Sequence, residues 1–111
     1  MSVKIEFSDN TVVAYLEGEL DHHTAKPMRE EIDAAVESNT PKLLVLDFKD
    51  ITFMDSSGIG LVMGRYKLVS KYNAKLTITN PSSQIYKVMQ LAGLSRLATI
   101  EKGGFKNETV K

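Results

Sequence analysis

Leu43-Leu44-Val45-Leu46-Asp47-Phe48 is a nearly continuous apolar run in a chain of otherwise mixed composition. It is too short for a helix core, and a strand with apolar residues at successive positions has two faces to bury. The run therefore predicts a central strand of a sheet covered on both sides. Before it, Asn39-Thr40-Pro41 is breaker chemistry. After it, Lys49 to Met54 reads as a connection anchored by Ile51, Phe53 and Met54. A helix is expected from about Ser57 to Tyr72, with Ile59, Val62, Met63, Tyr66 and Val69 as its core stripe.

The same reading extends in both directions. Val3, Ile5 and Phe7 alternate with polar residues, Ser8-Asp9-Asn10 supplies a turn, and Thr11 to Leu16 is rich in β-branched residues. Together they predict an antiparallel hairpin. Gly18-Glu19-Leu20-Asp21 leads into a helix that Asp21 or Thr24 can cap, with Pro27 fitting only near its start. Met28, Ile32 and Val36 form the apolar face of that helix. Downstream, Leu76 and Ile78 alternate with threonines in a strand over Ala74 to Thr79. Ser82 or Ser83 caps a third helix carrying Ile85, Val88, Met89 and Ala92, and Gly93 ends it. Leu97 to Ile100 closes with a short strand.

The order is β-β-α-β-α-β-α-β, which implies βαβ units with right-handed crossovers. The expected fold is a single α/β domain over residues 1–102, with a mixed sheet of four to five strands and about four helices. Residues 103–111 read as a polar tail, either a short helix or disordered.

Composition narrows the function classes. The chain has 111 residues, enough for one core, with 42% hydrophobic and 25% charged residues. Lys plus Arg equals Asp plus Glu at 14 each, which argues against a nucleic-acid binder with its basic face. There is no cysteine, so thiolate metal sites and cysteine nucleophiles are excluded. No targeting or membrane-spanning stretch is recognised, and a cytoplasmic protein is the expectation.

The segment with most chemistry is Asp55-Ser56-Ser57-Gly58-Ile59-Gly60, between the buried strand and the second helix. Asp, Ser and Gly are ordinary cap and turn residues. Yet two serines and an aspartate exceed what one cap needs. Gly58, Gly60 and Gly64 each weaken a helix by up to about 1 kcal/mol relative to alanine. Close approach by a backbone, a side chain or a ligand would account for them, as would tight packing of the helix on the sheet. A helix N-terminus also offers free N–H groups and the positive end of the dipole, so it tolerates a phosphate.

Enzyme motifs fit poorly. Gly58-x-Gly60-x-x-x-Gly64 is a loose dinucleotide fingerprint, but it does not follow its strand directly, and Thr79-Asn80 stands where an acidic residue should. Ser57 is not in a G-x-S-x-G elbow. The only histidines, His22 and His23, are adjacent and read as solvent-facing residues at a helix start, so neither a serine triad nor a zinc site is expected. No catalytic residue, metal or cofactor is assigned. A small nucleotide-binding hydrolase remains the alternative from a different class, and turnover by the chain alone would reveal it.

Gly18-Glu19-Leu20-Asp21-His22-His23-Thr24-Ala25 and Phe53-Met54-Asp55-Ser56-Ser57-Gly58-Ile59-Gly60, continuing through Gly64-Arg65-Tyr66-Lys67, resemble one family. The chain looks like the STAS-domain anti-sigma factor antagonists, most of all the sporulation branch that acts on sigma-F, with the general-stress branch as runner-up. The resemblance implies a binding module that is not an enzyme. In this cycle the unphosphorylated antagonist binds an anti-sigma factor that is also a serine kinase and so releases the sigma factor. The kinase then inactivates it using ATP, and a PP2C-type phosphatase restores it. By the family pattern Ser56 is the phosphorylated residue. Ser57 is the other acceptor and the expected helix cap. Asp21, Asp55, Ser56, Ser57, Gly58 and Gly60 would meet the partner, whereas Arg65 and Lys67 read as solvated helix residues.

Overall fold

The computed structural model describes residues 3–102. The expected tail, 103–111, lies outside them. The element order is β1 (Val3–Ser8), β2 (Thr11–Leu20), α1 (His22–Asn39), β3 (Leu43–Met54), α2 (Ser56–Ser70), β4 (Lys75–Thr79), α3 (Ser83–Leu91), a 3-10 turn (Leu94–Arg96) and β5 (Thr99–Glu101). The five strands form one mixed sheet in the order β1-β2-β3-β4-β5. β1 runs antiparallel to β2, and the other neighbours are parallel. The α/β class, the mixed sheet and the order of elements along the chain follow the sequence reading. The helix count differs, with three α-helices and one 3-10 turn among the described residues.

Leu44, Val45 and Leu46 of β3 are all fully buried, but only Leu44 and Leu46 belong to the core cluster, and Val45, on the other face, lies outside it. Leu44, Leu46 and Phe48 share one cluster with Val12, Ala14 and Leu16 of β2 and Leu76 and Ile78 of β4. Met28, Ile32 and Val36 of α1, Leu61, Val62 and Val69 of α2, and Ile85 and Met89 of α3 join the same cluster. The helices therefore cover one face of the sheet, the outcome of successive right-handed crossovers stepping in one direction.

Two strands are longer than expected. β2 continues to Leu20 through register shifts between Tyr15 and Glu17 and between Gly18 and Glu19. Gly18 adopts φ +99°, a conformation that side chains rarely allow. β3 continues to Met54, so Lys49 to Met54 is paired strand and not a connection. Phe53 is half-exposed rather than an anchor.

The helices also depart in detail from the expected faces. In α2 the buried residues are Gly58, Leu61, Val62, Arg65 and Val69, whereas Met63 is 44% exposed. In α3, Val88 is exposed while Ile85 and Met89 are buried. Pro27 is the sixth residue of α1, beyond the turn that lacks intrahelical donors. Its missing N–H frees the carbonyl of His23, which is exposed to solvent.

Candidate functional site

The C-terminal ends of β2 and β3 lie side by side, with Leu20 paired to Met54. Each strand runs straight into the N-cap of a helix. Asp21 caps α1 and Asp55 caps α2, both in extended conformation. The Asp55 N–H donates to the Leu20 carbonyl at 3.2 Å, which ties the two cap segments together. Two helix N-termini therefore open at one edge of the sheet.

The two caps are not equally complete. At α1, Asp21 Oδ1 accepts from the N–H groups of His23 at 2.9 Å and Thr24 at 3.0 Å. Thr24 Oγ1 accepts from the Asp21 N–H at 3.0 Å and donates to the Glu19 carbonyl at 2.7 Å. The result is a closed capping box. The Thr24 and His23 N–H groups hold the Asp21 carboxyl below its ordinary value. At α2 the Asp55 side chain accepts only from the Ser57 N–H, at 2.8 Å. The third helical position is Gly58, which has no side chain to close a box.

Asp55, not Ser57, is therefore the cap of α2. Ser56 and Ser57 are its first and second residues. Ser56 is exposed and Ser57 half-buried. Neither hydroxyl hydrogen-bonds to the protein among the described residues. His22 and His23 are both exposed, with ring centroids 4.0 Å apart.

The three glycines divide into two kinds. A Cβ on Gly58 would collide with the Met54 side chain and lie 3.1 Å from Leu20 Cδ2. Gly58 thus lets α2 start directly over the joined strand ends. A Cβ on Gly60 or Gly64 would meet nothing within 4 Å. Tight packing on the sheet does not account for either.

Gly60 and Gly64 instead floor a hollow of about 500 Å³ between α1 and α2, walled by His22, Lys26, Arg29 and Ser57. Its far end is closed by Arg65, which is 6% exposed and so is not the solvated residue expected from sequence. Arg65 Nε lies 2.8 Å from Asp33 Oδ1, but the N–H is not aligned with that oxygen, so the contact is an ion pair without a directional hydrogen bond. Arg65 also donates to the Leu61 carbonyl at 3.2 Å and to Asp33 Oδ2 at 3.4 Å. Burial pushes the Asp33 carboxyl up, with Arg65 pulling it down.

A larger hollow, about 910 Å³, lies at the opposite edge of the sheet, where Leu43 and Lys75 begin β3 and β4. It is remote from both caps and shares none of the expected site residues.

The structure thus gathers Asp21, Asp55, Ser56, Ser57, Gly58 and Gly60 at one edge. It adds Lys26 and Arg29, which sequence reading did not single out, and gives others a new setting. Ser56, Gly60, Met63 and Lys67 recur at helical spacing on the outward side of α2, and Met63 is exposed there. Phe53 is exposed two residues before Asp55. Lys26 and Arg29 face the hollow from α1. For these last two, the only available signal was their spacing from His22 on one helix face.

A family model described as the STAS domain matches residues 2–103. An anti-sigma F factor antagonist of Paenibacillus polymyxa is 30% identical over 100 residues, covering 90% of this chain and 86% of that protein. One from Lysinibacillus sphaericus is 40% identical over 84 residues, covering 76% and 72%. Among solved structures, the anti-sigma factor antagonist SpoIIAA in its unphosphorylated form is 34% identical with a TM-score of 0.77, covering 88% of this chain and 86% of that one. The phosphorylated form of the Bacillus protein superposes with a TM-score of 0.70 at 34% identity, covering 88% and 89%. Among the described residues, no helix is long and apolar enough to cross a membrane.

Proposed function

This chain belongs to the STAS-domain family as an anti-sigma factor antagonist, and we propose that Asp55-Ser56-Ser57-Gly58 is its switch, with Ser56 the phosphoryl acceptor. Unphosphorylated, it binds an anti-sigma factor that is also a serine kinase, and the sigma factor, sigma-F in this reading, is released. Phosphorylation by that kinase ends the complex, and a PP2C-type phosphatase restores the binding form. The protein acts in the cytoplasm.

The observation that carries this reading is the Ser56 hydroxyl. It is exposed, free of hydrogen bonds among the described residues and placed at the first position of α2, beside the Asp55 cap. A kinase can reach it without unfolding anything. The exposed Phe53 and Met63 flank it with apolar surface for a partner. A phosphate there adds about −1.5 to −2 charges and three acceptor oxygens. The helix dipole tolerates that charge, so the fold stands. The cost falls on the interface, where a bulky dianion takes the place of a neutral hydroxyl next to the kinase's own nucleotide phosphates. Sigma-F is favoured over the general-stress pathway by the Leu20-Asp21-His22-His23-Thr24-Ala25 stretch and by identities of 30% and 40% to sigma-F antagonists against 27% and 28% to sigma-B antagonists.

The test is incubation of the purified protein with a sigma-F-type anti-sigma kinase and ATP, followed by phosphosite mapping. Modification at Ser56 is expected, with a general-stress kinase much less active. Modification confined to Ser57 moves the acceptor, and modification of neither serine removes the switch.

A further inference from the structure

Gly60 and Gly64 lie four residues apart on α2, where helix stability favours alanine, and the structure gives neither a neighbour that excludes a side chain. What they leave open is the hollow of about 500 Å³ against α1. Its walls are of one sign. Lys26 and Arg29 stand on the α1 side, with Arg65 at the end, and among the described residues no carboxylate lines it. Asp33, one turn further along α1, is paired with Arg65. Among the described residues Arg65–Asp33 is the only ion pair, so Lys26 and Arg29 have no carboxylate within salt-bridge reach. In a chain of zero net charge, this is a local cationic groove with a floor of bare helix backbone. It opens at Ser57, one residue from the proposed phosphoryl acceptor.

We propose that this groove receives an acidic segment of the anti-sigma factor, with Lys26 and Arg29 contacting its carboxylate and Gly60 and Gly64 admitting the chain. The inference rests on the functional reading above and assigns the partner contact on the α1 side of the switch. It also gives phosphorylation a second effect. A dianion one residue from the groove wall competes with the partner's carboxylate for the same cations, in addition to blocking the serine itself.

The experiment measures binding of the purified cognate anti-sigma factor to wild type, Lys26→Glu, Arg29→Glu and Gly60→Leu by calorimetry, at 50 mM and 500 mM NaCl, with a thermal melt of each variant. Charge reversal at either cation is expected to weaken binding at least tenfold at low salt, with a smaller loss at high salt as the charges are screened. Gly60→Leu is expected to weaken it at least tenfold at both salts while the melting midpoint is held or raised. If wild type binds and all three variants bind equally, the groove assignment is overturned while the antagonist reading stands. If wild type itself does not bind, the antagonist reading fails first. If Gly60→Leu weakens binding but the charge reversals do not, the occupant is not acidic and the proposal is wrong. Sedimentation of each protein alone provides the remaining arm, since self-association lost in Gly60→Leu would assign the groove to a second copy and overturn it.

Discussion

Single residues at the switch edge do separable work. Asp21 completes a capping box, and its carboxyl is held low by the backbone N–H groups it accepts from. A group whose folded pKa lies below its unfolded value stabilises the fold above the unfolded value, ordinarily 3.8. That contribution is lost as pH falls through the folded value. Asp21→Ala should therefore lower the thermal midpoint by a few degrees at neutral pH, with the gap to wild type closing as pH falls through the lowered carboxyl value. A gap that persists in acid would mean that the side chain acts by packing and not by its charge. The glycines give a second contrast. Gly64→Ala meets open space and should stabilise by up to about 1 kcal/mol. Gly58→Ala forces Met54 aside and should destabilise by about 1–2 kcal/mol, because overpacking outweighs the gain in helix propensity. Denaturant unfolding of the two variants measures both signs. Sequence alone shows three costly glycines and cannot divide them, because only the position of Met54 and the open groove distinguish their surroundings.

At the scale of elements, β3 illustrates what was legible. Leu43 to Phe48 announces itself as a buried strand, but Lys49-Asp50 interrupts the apolar run and hides its second half. Pairing of Asp50 with Glu17 and Ile51 with Gly18 carries the strand onward, and that pairing exists only because β3 bulges, taking an extra residue at each register shift. The face of α2 was misread for a related reason. Arg65 looks like a surface residue until α1 supplies Asp33, and Met63 looks like core until the helix is placed. The Arg65–Asp33 pair links the two helices that wall the groove, yet Arg65 is almost fully desolvated and Asp33 keeps 29% side-chain exposure. Such pairs are costly to break and contribute little net stability. Asp33→Leu alone should cost about 3 kcal/mol, since it strands a buried guanidinium. Asp33→Leu combined with Arg65→Met should return to within about 1 kcal/mol of wild type. A double variant as unstable as the single one would show that the pair is a true source of stability.

Over the whole molecule, the proposed switch sits at a place whose modification leaves the core untouched. One cluster joins a single face of the sheet to all three helices, and Ser56 lies outside it, at a helix start with its hydroxyl in solvent. The order of elements and the position of this edge were legible, because hydrophobic period and cap chemistry are local properties. The cap of α2 was not, since Ser57 and Asp55 are both ordinary cap residues and only the start of the helix separates them. Asp55 takes that role, which leaves Ser56 exposed and turns Ser57 toward the groove. Ser56→Asp places one negative charge at the positive end of α2 without touching the core. The thermal midpoint should stay within a few degrees of wild type, while affinity for the anti-sigma kinase falls at least tenfold, a change that needs only about 1.4 kcal/mol at the interface. Measured on one preparation, the two quantities separate the alternatives. A large drop in the midpoint would make Ser56 part of the structural cap, and unchanged affinity would place the partner surface away from this edge.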